Sequence, residues 1–94
     1  MSDGWYVQSS YNMGRTSQQK FIDIVRTAQN RHGHRGDAAG QIRQQCEEHF
    51  PDSRRSWVVF YDCNGDFGVA ATSYHKKIFI ANNNKIDYAY ACLL

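Results

Sequence analysis

Asp62, Asn64 and Asp66 place oxygen donors at the first, third and fifth positions of a short loop, which is how a calcium-binding EF-hand loop begins. The pattern then breaks. The sixth position, where a sharp turn needs glycine, is Phe67, and the twelfth, where a bidentate glutamate belongs, is Ser73. Asn64-Gly65 inside it reads instead as a hairpin turn, because that pair accepts positive φ. His32 and His34 have metal-ligand spacing but neither cysteine nor acid beside them, and read as a solvated helix end. Ser73 and His75 could pair a nucleophile with a base, yet no nucleophile elbow surrounds them and no orienting acid is evident. Gly33, Gly36 and Gly40 match neither phosphate-loop nor dinucleotide spacing. Arg35-Gly36-Asp37 spells an adhesive tripeptide, but its natural reading is a turn followed by a helix cap. Cys46, Cys63 and Cys92 are odd in number and lack Cys-x-x-Cys spacing, so neither a disulfide framework nor a zinc site is indicated. No catalytic residue, metal or cofactor is expected, and the chain reads as a binding protein.

Its 94 residues suffice for one domain, 1–94, with a single core. An aromatic share of 14% argues for a folded unit rather than a polar tail. The net charge is only +2, and Arg31, Arg35, Arg43, Arg54 and Arg55 are scattered among acidic and neutral residues instead of forming a stripe for nucleic acid. No apolar run approaches the ~20 residues that cross a bilayer, and Met1 to Lys20 lacks the apolar centre of a signal peptide. Free thiols suit a reducing compartment, so a cytosolic protein is expected. Gly4 and Cys92 stand at the wrong positions for lipidation, and no Asn-x-Ser/Thr acceptor occurs.

The elements that must position these residues follow from hydrophobic spacing. Trp5 to Tyr11 fits a short edge strand or an extended arm. Phe21, Ile22, Ile24, Val25 and Ala28 recur at helical steps, with Thr16 or Ser17 to cap the first turn and Gly33 to stop the helix after about His32. A second helix is expected after Gly36, capped by Asp37, with Ala38, Ala39, Ile42, Cys46 and Phe50 on one stripe and Pro51 marking its end. Four strands then follow. Trp57 to Tyr61 is a continuous apolar run, typical of a strand covered on both faces. Phe67 to Ser73 and Lys77 to Ala81 come next, and Asn82-Asn83-Asn84 is a tight turn. In the last strand, Ile86 to Ala91, the residues Ile86, Tyr88, Tyr90 and Cys92 fall on one face and Asp87, Ala89 and Ala91 on the other. The fold class is α+β, two helices on an antiparallel sheet of about five strands. A small sheet has edges to cover, and an uncovered edge pairs readily with another chain.

This order, with Gly36-Asp37-Ala38-Ala39-Gly40-Gln41-Ile42, Ser56-Trp57, Asp66-Phe67-Gly68 and His75-Lys76-Lys77-Ile78-Phe79, resembles the dynein light chains of the small homodimeric hub class. The resemblance runs from Val7 to the C-terminus, with extra residues at Pro51 to Arg55 and Asp62 to Asp66, both turns where insertions cost little. It implies a strand-exchanged homodimer: the strand near Phe67 to Tyr74 crosses to the partner, pairs with the strand near Trp57 to Tyr61, and leaves its other edge for target peptides to extend. Val69-Ala70-Ala71-Thr72-Ser73 fits that use, since its side chains are small and none is proline.

By position, the resemblance implies a peptide-binding set of Phe67, Gly68, Val69, Ala70, Ala71, Thr72 and Ser73, with Ile80, Asn82 and Ala89 on the floor and Arg35 and Gly36 at the helix end. It implies a dimer interface of Arg43, Gln44, Trp57, Val58, Phe60 and Thr72. The chain departs from the family at Ile80 and Asn82, where tyrosines are usual, and at Arg35-Gly36, where a Glu-Lys pair reads the glutamine of the common peptide motif. That motif is not carried over. Val58 replaces the histidine that makes many such dimers pH-sensitive, so no histidine switch is expected there. The implied function is a non-catalytic adaptor of the dynein motor complex, cytoplasmic and cytoskeleton-associated, taking extended segments of dynein intermediate chain or other proteins. Similar divergence marks the dynein-light-chain-like domains of parasitic-flatworm tegument proteins, which implies an alternative: a structural dimerisation domain of a calcium-binding protein with a degenerate groove.

Overall fold

Phe21, Ile22, Ile24, Val25 and Ala28 can all be buried by one helix only if it lies flat on a second layer, and that is what the chain builds. A computed structural model describes residues 4–31, 35–62, 73–84 and 87–94. The elements run β1 (Trp5–Tyr11), α1 (Arg15–Arg31), α2 (Arg35–His49), β2 (Trp57–Asp62), β3 (Lys76–Asn82) and β4 (Tyr88–Leu93). Both helices pack on one face of an antiparallel sheet whose order is β1-β3-β4-β2.

Helix α1 starts earlier than its polar residues suggest. The Gly14 carbonyl accepts from Gln18 N at 2.9 Å, which puts Gly14, rather than Thr16 or Ser17, in the cap position. The Gln18 side chain turns back to donate to the Met13 carbonyl at 2.8 Å and to Ser10 Oγ at 3.1 Å, tying the helix start to β1. Helix α2 likewise begins at Arg35, so Asp37 is not the cap but a first-turn acid facing the positive end of the helix dipole. Its buried stripe is Ala38, Ile42 and Cys46, at steps of four.

The core lies between the helices and Ile78, Ile80, Ala89, Ala91, Leu93, Trp57 and Trp5 of the sheet. Trp57 joins α2 to β2: its Nε1 donates to the Phe50 carbonyl at 3.0 Å, and its backbone N to Glu47 Oε1 at 3.2 Å. Asp87 joins α1 to β4, accepting from Gln29 Nε2 at 2.7 Å. At the far corner Gly4 has φ +95°, and a Cβ there would stand 2.6 Å from Asn82 Oδ1 and 2.7 Å from Asn84 Nδ2. Only glycine permits this approach, which lets the Gly4 carbonyl accept from Asn83 N at 2.8 Å.

The strand-level expectations meet the structure unevenly. β1 is an edge strand with a bulge between Val7 and Ser9. β4 alternates as expected, but spans Tyr88–Leu93 and turns its alanine face to the helices. β2 is not covered on both faces: among the described residues it is the other edge strand, with Trp57 buried and Phe60 43% exposed. Its run looks continuous because its second face is apolar too. Of the expected strand Phe67 to Ser73, residues 67–72 lie outside the described residues, and Ser73 is an exposed residue preceding β3. The sheet has four strands among the described residues.

Candidate docking surfaces: the open sheet face and the β2 edge

Residues directly opposite in an antiparallel pair share a face, so the register sorts the sheet in two. Ile78 opposite Ala91, Ile80 opposite Ala89 and Trp57 opposite Leu93 lie under the helices. The other face carries Phe79 opposite Tyr90, Tyr90 opposite Phe60, Ala81 opposite Tyr88, Tyr6 opposite Ala81, and Val58 opposite Cys92. No element among the described residues covers it.

This open face is aromatic and continuous. Ring centroids lie 5.8 Å apart for Phe79 and Tyr88, 6.1 Å for Phe79 and Tyr90, and 6.3 Å for Phe60 and Tyr90. Tyr90 is 6% exposed, while Phe60 and Tyr6 stand 43% and 42% exposed at the flanks. Burial pushes the Tyr90 hydroxyl up to about 12, helped by its hydrogen bond to the neighbouring Cys92 thiol. Burial also raises the Cys92 thiol, against the opposing effect of that bond. Both groups stay protonated near neutrality, so the face is uncharged at Tyr90 and Cys92 and suited to burial against another apolar layer.

The second surface is the end of the sheet along β2. Leu94 N donates to the Ser56 carbonyl at 3.0 Å, which makes Ser56 and Leu94 a hydrogen-bonded pair. In an antiparallel ladder such pairs alternate, so Val58, Phe60 and Asp62 bond toward β4 and the N–H and C=O of Val59 point away from it. Among the described strands β2 and β3 are not neighbours in the sheet, since β4 lies between them.

The residues named from sequence divide between these surfaces, the interior and the undescribed segment. Val58 and Phe60 lie on the open face. Trp57 does not; it is buried beneath α2. Arg43 and Gln44 are exposed on α2, with Arg43 4.0 Å from Glu47. Gly36 is exposed in the first turn of α2, and Arg35 begins that helix. Ile80 and Ala89 are fully enclosed in the core, and Asn82 is buried with its Oδ1 accepting from Asn84 N at 2.8 Å. Phe67, Gly68, Val69, Ala70, Ala71 and Thr72 lie outside the described residues, as do His32, His34, Cys63, Asn64 and Asp66. Ser73 and His75 are both exposed. Among the described residues no group of three or more His, Cys, Asp or Glu is placed to hold a metal ion. Among the described residues no helix is long and apolar enough to cross a membrane.

Sequence reasoning missed Phe79, Tyr88, Tyr90 and Tyr6 as a single surface. The signal was present: aromatics alternate with Ile78 and Ile80 in β3 and with Ala89 and Ala91 in β4. Only the register brings them side by side.

No protein-family model matches the chain, and no curated protein matches it.

Proposed function

We propose that this chain is a non-catalytic, homodimeric adaptor of the dynein light chain type, cytoplasmic and cytoskeleton-associated, that holds extended segments of partner proteins by strand addition. The observation that carries the reading is the aromatic face of the sheet, opposite the helices, with Phe60 and Tyr6 exposed at its flanks. Apolar surface of this kind is stabilised when a second layer removes it from water, at about 25 cal/mol per Å2. A second copy supplies such a layer. The position of β2 at the end of the sheet agrees with the exchange that the resemblance implies, in which 67–73 of one copy extends β2 of the other. Partner segments, such as those of dynein intermediate chain, then pair with the outer edge of that strand, and two equivalent edges favour bivalent partners.

A pull-down from cytosol with the whole chain beside Ala71→Pro tests the binding half. Proline removes one backbone donor from the expected strand. Extended partners retained by the wild type and lost by the variant support the reading; identical recoveries contradict it.

One observation favours a second reading, a structural dimerisation domain whose groove is degenerate. Ile80, Asn82 and Ala89, the expected floor of the groove, are buried and offer an incoming peptide no side-chain surface. A dimer that captures no extended segment in a peptide array is the result this reading predicts.

A further inference from the structure

All four strands of the sheet among the described residues meet at one of its ends: Tyr11 lies opposite Lys77, and both Lys76 and Trp57 lie opposite Leu93. Hydrogen bonds step across that end, from His75 N to the Leu93 carbonyl at 2.7 Å, from Leu94 N to the Ser56 carbonyl at 3.0 Å, and from Asn12 Nδ2 to the His75 carbonyl at 3.2 Å. With neighbouring strands about 4.8 Å apart, the turn carrying Arg54 and Arg55 and the start of β3 carrying Lys76 and Lys77 lie on a strip of roughly 10–15 Å.

The strip is basic and aromatic together. Lys77 Nζ lies 5.2 Å from the centroid of the Tyr74 ring, which meets the Tyr11 ring edge-on at 5.5 Å. Tyr11 is 55% exposed. Asp52, an acidic side chain at this end, is occupied by Arg55 at 3.5 Å and by the Arg54 backbone N at 2.9 Å. The side chains of Arg54 and Lys77 form no ion pair with a carboxylate side chain among the described residues, and Lys77 shares the open face with Tyr11.

We infer that this sheet end docks an acidic, extended protein segment, its carboxylates over Arg54 and Lys77 and an apolar side chain against Tyr11 and Tyr74. Tyrosine and arginine are the side chains that most often anchor such contacts. A nucleic acid carries a phosphate at every step and binds through a broad basic field, which a net charge of +2 and two unpaired cations do not supply, whereas a peptide needs only a few spaced carboxylates. The surface uses neither the centre of the open face nor the edge of β2, so it stands apart from the adaptor reading.

The test is an amide-resolved NMR titration of the whole chain with decaglutamate, decaglutamine and a ten-nucleotide oligothymidylate. Decaglutamate alone should shift signals of 11–12, 52–56 and 73–77, weakening as salt rises. Arg54→Ser with Lys77→Ser should weaken it about fivefold or more, whereas Lys20→Ser with Arg43→Ser on the helices should change it less than about twofold. The inference is overturned if decaglutamate shifts nothing, if decaglutamine shifts the same signals, if the helix pair loses as much, or if oligothymidylate binds more tightly.

Discussion

The ring of Phe79 stands 6.1 Å from the ring of Tyr90 across the β3–β4 pair, on the face that the helices leave bare. That contact, continued by Phe60 on one side and Tyr88 on the other, makes the outer face of the sheet a surface with the character of a core. A lone small domain gains little from holding the Phe60 and Tyr6 flanks of such a face toward water, and a paired one can bury them in a second hydrophobic layer.

Phe60 is the most direct probe of that layer. It is 43% exposed and packs only partly within its own chain, so Phe60→Lys should leave the fold intact and place a charge in the dimer interface. Analytical ultracentrifugation should show the association weakened by at least about tenfold, with the circular dichroism spectrum unchanged.

Gly4→Ala should be destabilising. Its φ of +95° is a conformation that L side chains rarely adopt, and the new Cβ would press on Asn82 and Asn84. A loss of about 1–3 kcal/mol in urea unfolding is expected, with the corner between β1 and the β3–β4 turn the first region to lose amide protection.

Gly40→Ala should do the opposite. Gly40 lies inside α2, exposed, and a Cβ there meets nothing within 4 Å. Removing the flexibility of glycine from a helix interior should add about 0.5–1 kcal/mol, read as a higher melting temperature.

Much of this architecture was legible in the sequence, for reasons that differ by element. The α1 stripe from Phe21 to Ala28 is unambiguous because helical spacing and burial coincide, whereas its start was misplaced because Gly14 caps through its carbonyl and leaves no polar side-chain signal. The apolar run Trp57 to Tyr61 suggested a strand covered twice; periodicity cannot separate a central strand from an edge strand whose outer face is itself sticky. Ile80, Asn82 and Ala89 were named for a groove by position alone, and their burial follows from facing the helices in the observed register. Tyr6, Phe79, Tyr88 and Tyr90 come from strands far apart in sequence, so their meeting depends on strand order.

Alkaline pH should unfold the protein. Burial pushes the Cys46 thiol from its ordinary 9.0 up to about 12, with the Glu47 carboxylate adding to the shift, and Tyr90 is also raised to about 12. Each group is protonated in the folded state over a range where the unfolded chain ionises. Their contribution is fully present below the unfolded values and is lost as pH rises from about 9 toward 12, with a limiting slope of about 1.4 kcal/mol per pH unit for the thiol. Urea melts between pH 7 and 11 should show that decline, and Cys46→Ala should make it shallower.

Asp52 governs the acid side in the opposite sense. The Arg54 backbone N–H, followed by the charges of Arg55 and His75, holds its carboxyl below the ordinary 3.8. Its contribution is present above that value and disappears as pH falls through the depressed one. Asp52→Asn should therefore flatten the pH dependence of stability below pH 4 and leave the alkaline limb unchanged.

The mass of the chain in solution tests the central claim most directly. Sedimentation equilibrium at micromolar concentration should give twice the 10.9 kDa of one chain. A single-chain mass across that concentration range would contradict a dimer built on the open face of the sheet.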